Sequence, residues 1–204
     1  MIKKIIPHFI FIGVLITTFI LFSFSETKNV ETKRIVHITP LGKVSERQLI
    51  LIKGWVKSFY GFNCVIDKQE PLTKDLLAKS QTRYEASKII KKYKSNKNIL
   101  LLTNVDIVYF NKVKNIKEYG IIGLGYKPGN TCVVSTFRIK NTTKNKFIDR
   151  LNKVVLHEIG HNLGLPHCKY DKKCLMNDAN GTVKQIDQEK IWLCSNCKKI
   201  IGIN

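Results

Sequence analysis

Apolar positions recur along this chain in two rhythms, and their order predicts its architecture. Ile35, Val36 and Ile38 make a β-branched run over residues 34–39 that stops at Pro40, as a short strand does. Ser45, a good N-cap type with Gln48 three positions on, opens a stretch in which Leu49, Ile52, Val56 and Phe59 keep helical spacing up to Gly61. A second strand is predicted over 63–66. A second helix is predicted over 81–93, with Tyr84, Ile89 and Ile90 inward and lysines outside. Residues 99–102, Ile-Leu-Leu-Leu, show no polar alternation, which suits a strand buried on both faces. This alternation of strand and helix predicts a mainly parallel sheet with helices packed on it.

Beyond Asp106 the rhythm tightens. Short β-like stretches over 107–110, 120–126 and 132–139 lie between Asn, Gly and Pro turn signals, which predicts an added antiparallel edge hairpin. A last helix is predicted over 146–163, where Phe147, Leu151, Val154, Val155 and Ile159 form the side that packs on the sheet and Gly164 and Pro166 end it. The chain beyond Pro166 is short, irregular and rich in cysteine. The fold class is therefore α/β (α+β): a mixed, mostly parallel twisted sheet with an antiparallel edge strand and helices packed on it. The last helix leads into a Cys-rich segment. No internal repeat or low-complexity linker interrupts residues 34–204, which are expected to form one domain.

Length and composition agree with that picture, since 204 residues with 44% apolar and 25% charged content make one ordinary globular domain. The N-terminus stands apart. Lys3 and Lys4 precede a run over 5–24 whose only basic or acidic-type residue is His8. Roughly 20 apolar residues suffice for an uncleaved anchor. Ser23 and Ser25 equally supply the small residues before a signal-peptide cut after Ser25, the preferred reading. Residues 1–25 are thus expected to be a signal peptide or membrane anchor. Lys28, Lys33 and Arg34 offset the positive-inside bias of Lys3 and Lys4, and the domain is expected outside the cytoplasm. The stretch between Ser25 and the strand at Arg34 leaves no room for a long, cysteine-bearing prosegment. The net charge of +20 comes from lysines scattered along the chain. Such a charge permits attraction to nucleic acid, anionic lipid or acidic substrates. Aromatics are not interleaved with the basic residues as single-strand binding requires, so no specific nucleic-acid partner is expected.

The chemistry concentrates in the last helix. His157-Glu158-Ile159-Gly160-His161 is the H-E-x-x-H pattern, and on a helix two histidines four apart share a face and reach one zinc at about 2.0–2.1 Å. Glu158 points elsewhere and is expected to act as general base toward a metal-bound water. His167 supplies a third ligand once Gly164 has turned the chain through a positive φ. The string H-E-x-x-H-x-x-G-x-x-H arises by chance on the order of 10⁻⁷ times per start position. This extended motif is that of the metzincins, which also carry a methionine turn under the zinc; Met176, nine residues after His167, is expected to fill that place.

Of six cysteines, Cys168, Cys174, Cys194 and Cys197 come after this helix, the last two as C-x-x-C. Two close pairs suit a tetrahedral structural zinc; two disulfides are the alternative, which export would favour. Cys64 and Cys132 fall in predicted strands and are expected to be buried small hydrophobes.

Residues 157–197 read H-E-x-x-H-x-x-G-x-x-H-C-x₅-C-x-M-x₁₇-C-x-x-C, which resembles the archaemetzincin signature. Thr103-Asn104-Val105-Asp106 and the segment from Cys132 to Arg138 are similar to family positions, and the resemblance extends over about 34–204. It implies a compact metzincin-like domain. It also implies a catalytic zinc at His157, His161 and His167 and a structural zinc at Cys168, Cys174, Cys194 and Cys197, two Zn²⁺ per chain. The implied activity is peptide-bond hydrolysis of a limited substrate set. The N-terminal segment departs from the bare family domain and raises the prospect of a membrane partner through residues 5–24. A peptide or protein substrate and a monomer are expected, and Tyr170 is the candidate for stabilising the oxyanion. The rival reading is a zinc-stabilised, non-catalytic protein that binds peptide or nucleic acid; Glu158 argues against it, because a structural site has no use for that carboxylate.

Overall fold

The computed structural model describes residues 34–179 and 181–203. The predicted signal peptide or anchor over 1–25 lies outside the described residues, and no helix among them is long and apolar enough to cross a membrane.

Strand β1 (Ile35–Leu41) leads through α1 (Glu46–Tyr60) to β2 (Asn63–Ile66), which pairs parallel to β1 with Val36 opposite Cys64. A 3₁₀ turn (Lys74–Leu76), the short strand β3 (Tyr84–Glu85) and helix α2 (Ala86–Tyr93) bring the chain to β4 (Asn98–Thr103), parallel on the other side of β1. β5 (Ile107–Asn111) and β6 (Ile116–Ile121) form an antiparallel pair, and β7 (Gly123–Gly125) precedes β8 (Thr131–Ser135). The main sheet runs β2-β1-β4-β8-β7. Its first four strands are parallel, and β7 lies antiparallel at the edge. β3, β5 and β6 make a second, three-stranded sheet.

Side-chain alternation along the strands divides the interior into two cores. Val36 and Ile38 of β1, Leu100 and Leu102 of β4 and Cys132 and Val134 of β8 point to one face, against Leu49, Ile52 and Val56 of α1 and Leu151 and Val155 of helix α3 (Lys144–Asn162). Leu41, Ile99, Leu101 and Val133 point to the other, against Ala86, Ile89 and Ile90 of α2 and Ile107 and Ile121 of the small sheet. The unbroken apolar run in β4 therefore serves both cores, as expected for a strand covered twice.

Five local expectations change, the first being that β1 does not stop at Pro40 but pairs on through it to Leu41. The helix predicted from residue 81 begins at Ala86, because Gln81 sits at φ 60° and Tyr84–Glu85 pair with Ile107 and Val108, so sheet pairing overrides helical spacing. The strand predicted over 120–126 is divided, since residues to Ile121 pair with β5 while Gly123–Gly125 pair with β8. The predicted strand 132–139 ends at Ser135, where Ile139 donates its amide to Thr136 O and closes a turn. The segment after Pro166 holds two short helices, α4 (Val183–Gln188) and α5 (Ser195–Ile200). Cys64 and Cys132 are buried free thiols, as expected.

Two motifs singled out in sequence meet in space. Arg138 grips Asp106 with Nε and Nη2 at 2.7 and 2.9 Å. Gly120 makes room, for a Cβ there would overlap the Arg138 guanidinium. This bidentate pair ties the loop after β4 to the connection between β8 and α3.

Candidate metal centre and catalytic cleft

Helix α3 begins at Thr143, whose hydroxyl accepts the Lys146 amide, and carries His157, Glu158 and His161 in its last turns. It is closed by Gly164 at φ +100°, the left-handed geometry expected from the sequence; the Leu165 amide returns to Gly160 O at 3.0 Å. That reversal places His167 beside the helix. The Nε2 atom of His161 lies 3.1 Å from His157 Nε2 and 3.2 Å from His167 Nε2.

The partners of these rings decide what can lie between them. His157 Nδ1 donates to Leu175 O at 2.7 Å, and His161 Nδ1 donates to Leu165 O at 2.8 Å. A carbonyl oxygen only accepts, so in both rings the proton sits on Nδ1 and the Nε2 atom presents a bare lone pair. A second proton is excluded as well. Burial and the neighbouring His161 hold His157 down to about 3, and burial holds His161 down to about 4. Lone pairs facing one another at 3.1 Å repel unless a cation stands between them. A tetrahedral ion bonded at about 2.05 Å needs donor edges of about 3.3 Å, close to those present. The donor set fits zinc.

Met176 is fully buried under this centre, and a Cβ on Gly160 would lie 2.6 Å from its Sδ, so only glycine lets the helix settle on the methionine. The same turn connects the two donor groups. Leu175, whose carbonyl orients His157, lies between Cys174 and Met176, and Met176 O accepts the Cys168 amide at 2.7 Å.

Cys168, Cys174, Cys194 and Cys197 converge, all buried, with their sulfurs within 4.8 Å of one another. The Cys168–Cys194 and Cys174–Cys197 sulfurs are 3.6 and 3.8 Å apart. A disulfide requires about 2.05 Å, whereas bonds of about 2.3 Å to one tetrahedral zinc give edges of about 3.8 Å. The Tyr170 amide points at Cys168 Sγ and the Cys194 amide at Cys174 Sγ, as donors do toward thiolates. Burial pushes the Cys174 and Cys197 thiols up, so holding these two as thiolates requires a cation here. The arrangement fits a closed metal site and not two disulfides.

Glu158 is 7% exposed, and burial pushes its carboxyl up to about 8 although the Gly125 amide donates to it. β7 passes directly over it. A Cβ on Gly123 would lie 2.4 Å from Glu158 Oε1, and one on Gly125 would lie 2.7 Å from Glu158 O. The hydrophobic pattern predicts a strand here but assigns Gly123 and Gly125 no role. Their alternate spacing in a strand was the available signal, since glycine inside a strand marks close backbone approach.

A cleft of about 390 Å³ opens along β7 and exposes His157, Glu158, His161 and His167 to one space. Tyr109, Tyr119, Lys153, Asp178 and Glu189 also line it. None is identifiable from sequence, because their neighbourhood exists only after β5, β6 and the C-terminal segment close around α3. Asp178 Oδ2 stands 3.5 Å from His167 Nδ1. Tyr170, the expected oxyanion residue, is 72% exposed and is not part of the cleft wall; Tyr109 and Tyr119 are the tyrosines that reach it.

Fold and site together define an α/β metal-binding domain of the H-E-x-x-H hydrolase class. The profile of peptidase family M54 matches residues 62–202. The archaemetzincin of Haloarcula marismortui is 30% identical over 178 residues, covering 80% of this chain and 97% of that one. The crystal structure of archaemetzincin from Archaeoglobus fulgidus superposes with a TM-score of 0.71 at 24% identity, covering 82% of this chain and 99% of that one. The structure described as a zinc-dependent peptidase from Methanocorpusculum labreanum gives 0.67 at 18% identity, covering 81% and 99%. This chain belongs to peptidase family M54.

Proposed function

We propose that this protein is a metzincin-type zinc metallopeptidase, with one catalytic zinc held by His157, His161 and His167 and one structural zinc held by Cys168, Cys174, Cys194 and Cys197. The observation that carries the proposal is the meeting of three Nε2 atoms within 3.2 Å steps beside a buried carboxylate in an open cleft. Family membership and the description of the Methanocorpusculum neighbour support it. His157, His161 and His167 would hold the zinc, which would supply a Lewis acid beside Glu158.

The chain's own groups do the rest. Leu175 O and Leu165 O hold His157 and His161 in the ligand tautomer. Glu158, oriented by the Gly125 amide, takes a proton from the attacking water and later passes it to the leaving amine. β7 is the last strand of its sheet, and its outer edge lies along the cleft, where an extended peptide adds as a further strand. The substrate is a peptide or protein, and the protein is expected to act as a monomer. Its place outside the cytoplasm rests on residues 1–25.

The test is to expose a proteome-derived peptide library to the zinc-loaded protein and to its Glu158→Ala variant and to sequence new termini by mass spectrometry. Termini produced by the wild type and reduced at least about 100-fold in the variant, with zinc content unchanged, are the expected result. Equal rates in the two proteins, or no cleavage by either, would overturn the assignment.

A further inference from the structure

A second cavity borders the end of β7. Beyond Gly125 the chain turns back to β8 through residues 126–130, and a space of about 510 Å³ lies between this turn and helix α2. Gly125 and Lys127 line the catalytic cleft while Tyr126 and Pro128 line the second cavity, so the two adjoin across one short segment. The second cavity is basic. Lys88 and Lys91 of α2 and Lys94 at its C-terminal end line it, spaced three apart as residues sharing a helix face are. The one carboxylate in its lining, Glu85, is already matched: it stands 3.5 Å from Lys88 Nζ and accepts the Ser87 hydroxyl at 2.6 Å. Lys91, Lys94 and Lys127 are exposed, and their ammonium groups form no ion pair or hydrogen bond with a described residue. Lys127 is near enough to the histidines for its charge to bear on His161.

We propose that this lysine-lined cavity docks an acidic stretch of the substrate, on the side of the scissile bond that runs past Gly125. The proposal rests on the peptidase reading and names its substrate class. A strand added to the outer edge of β7 directs successive side chains to opposite faces of the sheet. Helix α3 packs on one of those faces and α2 on the other. Residues that follow the edge beyond Gly125 therefore send alternate side chains toward Lys127 and toward Lys91 and Lys94. Aspartate or glutamate at these places gives the three ammonium groups the acceptors that the chain itself does not supply. The long-range field acts in the same direction, since a net charge of +20 draws acidic partners before contact. The lysines are exposed, so the gain per contact is modest and falls with added salt.

The experiment reads binding, so that it does not depend on turnover. Zinc-loaded Glu158→Ala protein is titrated calorimetrically, at low and at high ionic strength, with alanine-based peptides that differ only in glutamate or glutamine at each position. The same peptides are offered to Glu158→Ala protein carrying Lys91→Gln and Lys94→Gln. A control of equal charge carries Lys43→Gln and Lys53→Gln instead, at exposed positions before and within α1. Glutamate toward one end of the peptide should tighten binding by about three- to tenfold at low salt and by less at high salt. The cavity variant should lose most of that gain, and the control should keep it. The proposal is overturned if glutamate gives no gain at any position or if the gain survives Lys91→Gln and Lys94→Gln. It is also overturned if the control loses the gain equally, which would assign it to the overall field. Failure here leaves cleavage by the wild type standing, while a glutamate preference without any cleavage would refute the peptidase reading and keep this one.

Discussion

Replacing Gly123 by alanine tests whether β7 sets the position of Glu158. The added Cβ would lie 2.4 Å from Glu158 Oε1 and 2.7 Å from its Cδ and Cγ, about 1 Å short of ordinary van der Waals contact. Either the carboxylate or the strand must shift by that amount. A misplacement of about 1 Å at a reacting group costs about 100-fold, or ~2.7 kcal/mol of transition-state stabilisation. The histidines are oriented by Leu165 O and Leu175 O, and the atoms nearest the carbon added at Gly123 all belong to Glu158, so the metal should stay. Gly54→Ala is the control. It adds the same carbon inside α1 with nothing within 4 Å, and should leave activity intact while stabilising the protein by about 0.5–1 kcal/mol. The assay is kcat/KM on a cleaved peptide beside elemental analysis and thermal unfolding. A Gly123→Ala protein with wild-type kcat/KM would show that the close approach does not govern Glu158.

Two further results are expected. Cys174→Ser should lose the cysteine-held metal and weaken zinc at the histidines by about 10- to 100-fold, because Leu175 O, the acceptor for His157, is the next residue along. Chelator competition would measure this, and unchanged histidine-site affinity would refute the linkage. Asp187, gripped by Arg150 Nε and Nη2 at 2.7 Å each and by Lys146 at 3.0 Å, has its carboxyl held down to about 2 by those cations, Arg150 first. A depressed folded pKa contributes stability above the usual carboxylate range that is lost as pH falls from about 4 toward 2, here about 1–2 kcal/mol after solvent screening. The gap in urea midpoint between wild type and Asp187→Asn should shrink across that window, and a constant gap would refute the assignment.

Features that depend on neighbours within a few turns of chain are legible in the residues alone. The i, i+4 spacing of His157 and His161, the positive φ at Gly164 and the doubly buried β4 are local consequences of helix and strand geometry. Contacts between distant segments settled the rest. Sheet pairing moved the start of α2 from residue 81 to Ala86, because β5 captured Tyr84–Glu85. That the four cysteines converge without forming disulfides shows only in sulfur distances that no spacing encodes. The polar lining of the cleft was hidden for the same reason. Lys153 lies on α3, Asp178 in the loop after Met176 and Glu189 beyond α4, and only the folding of the C-terminal segment against α3 gives them a common space with Glu158.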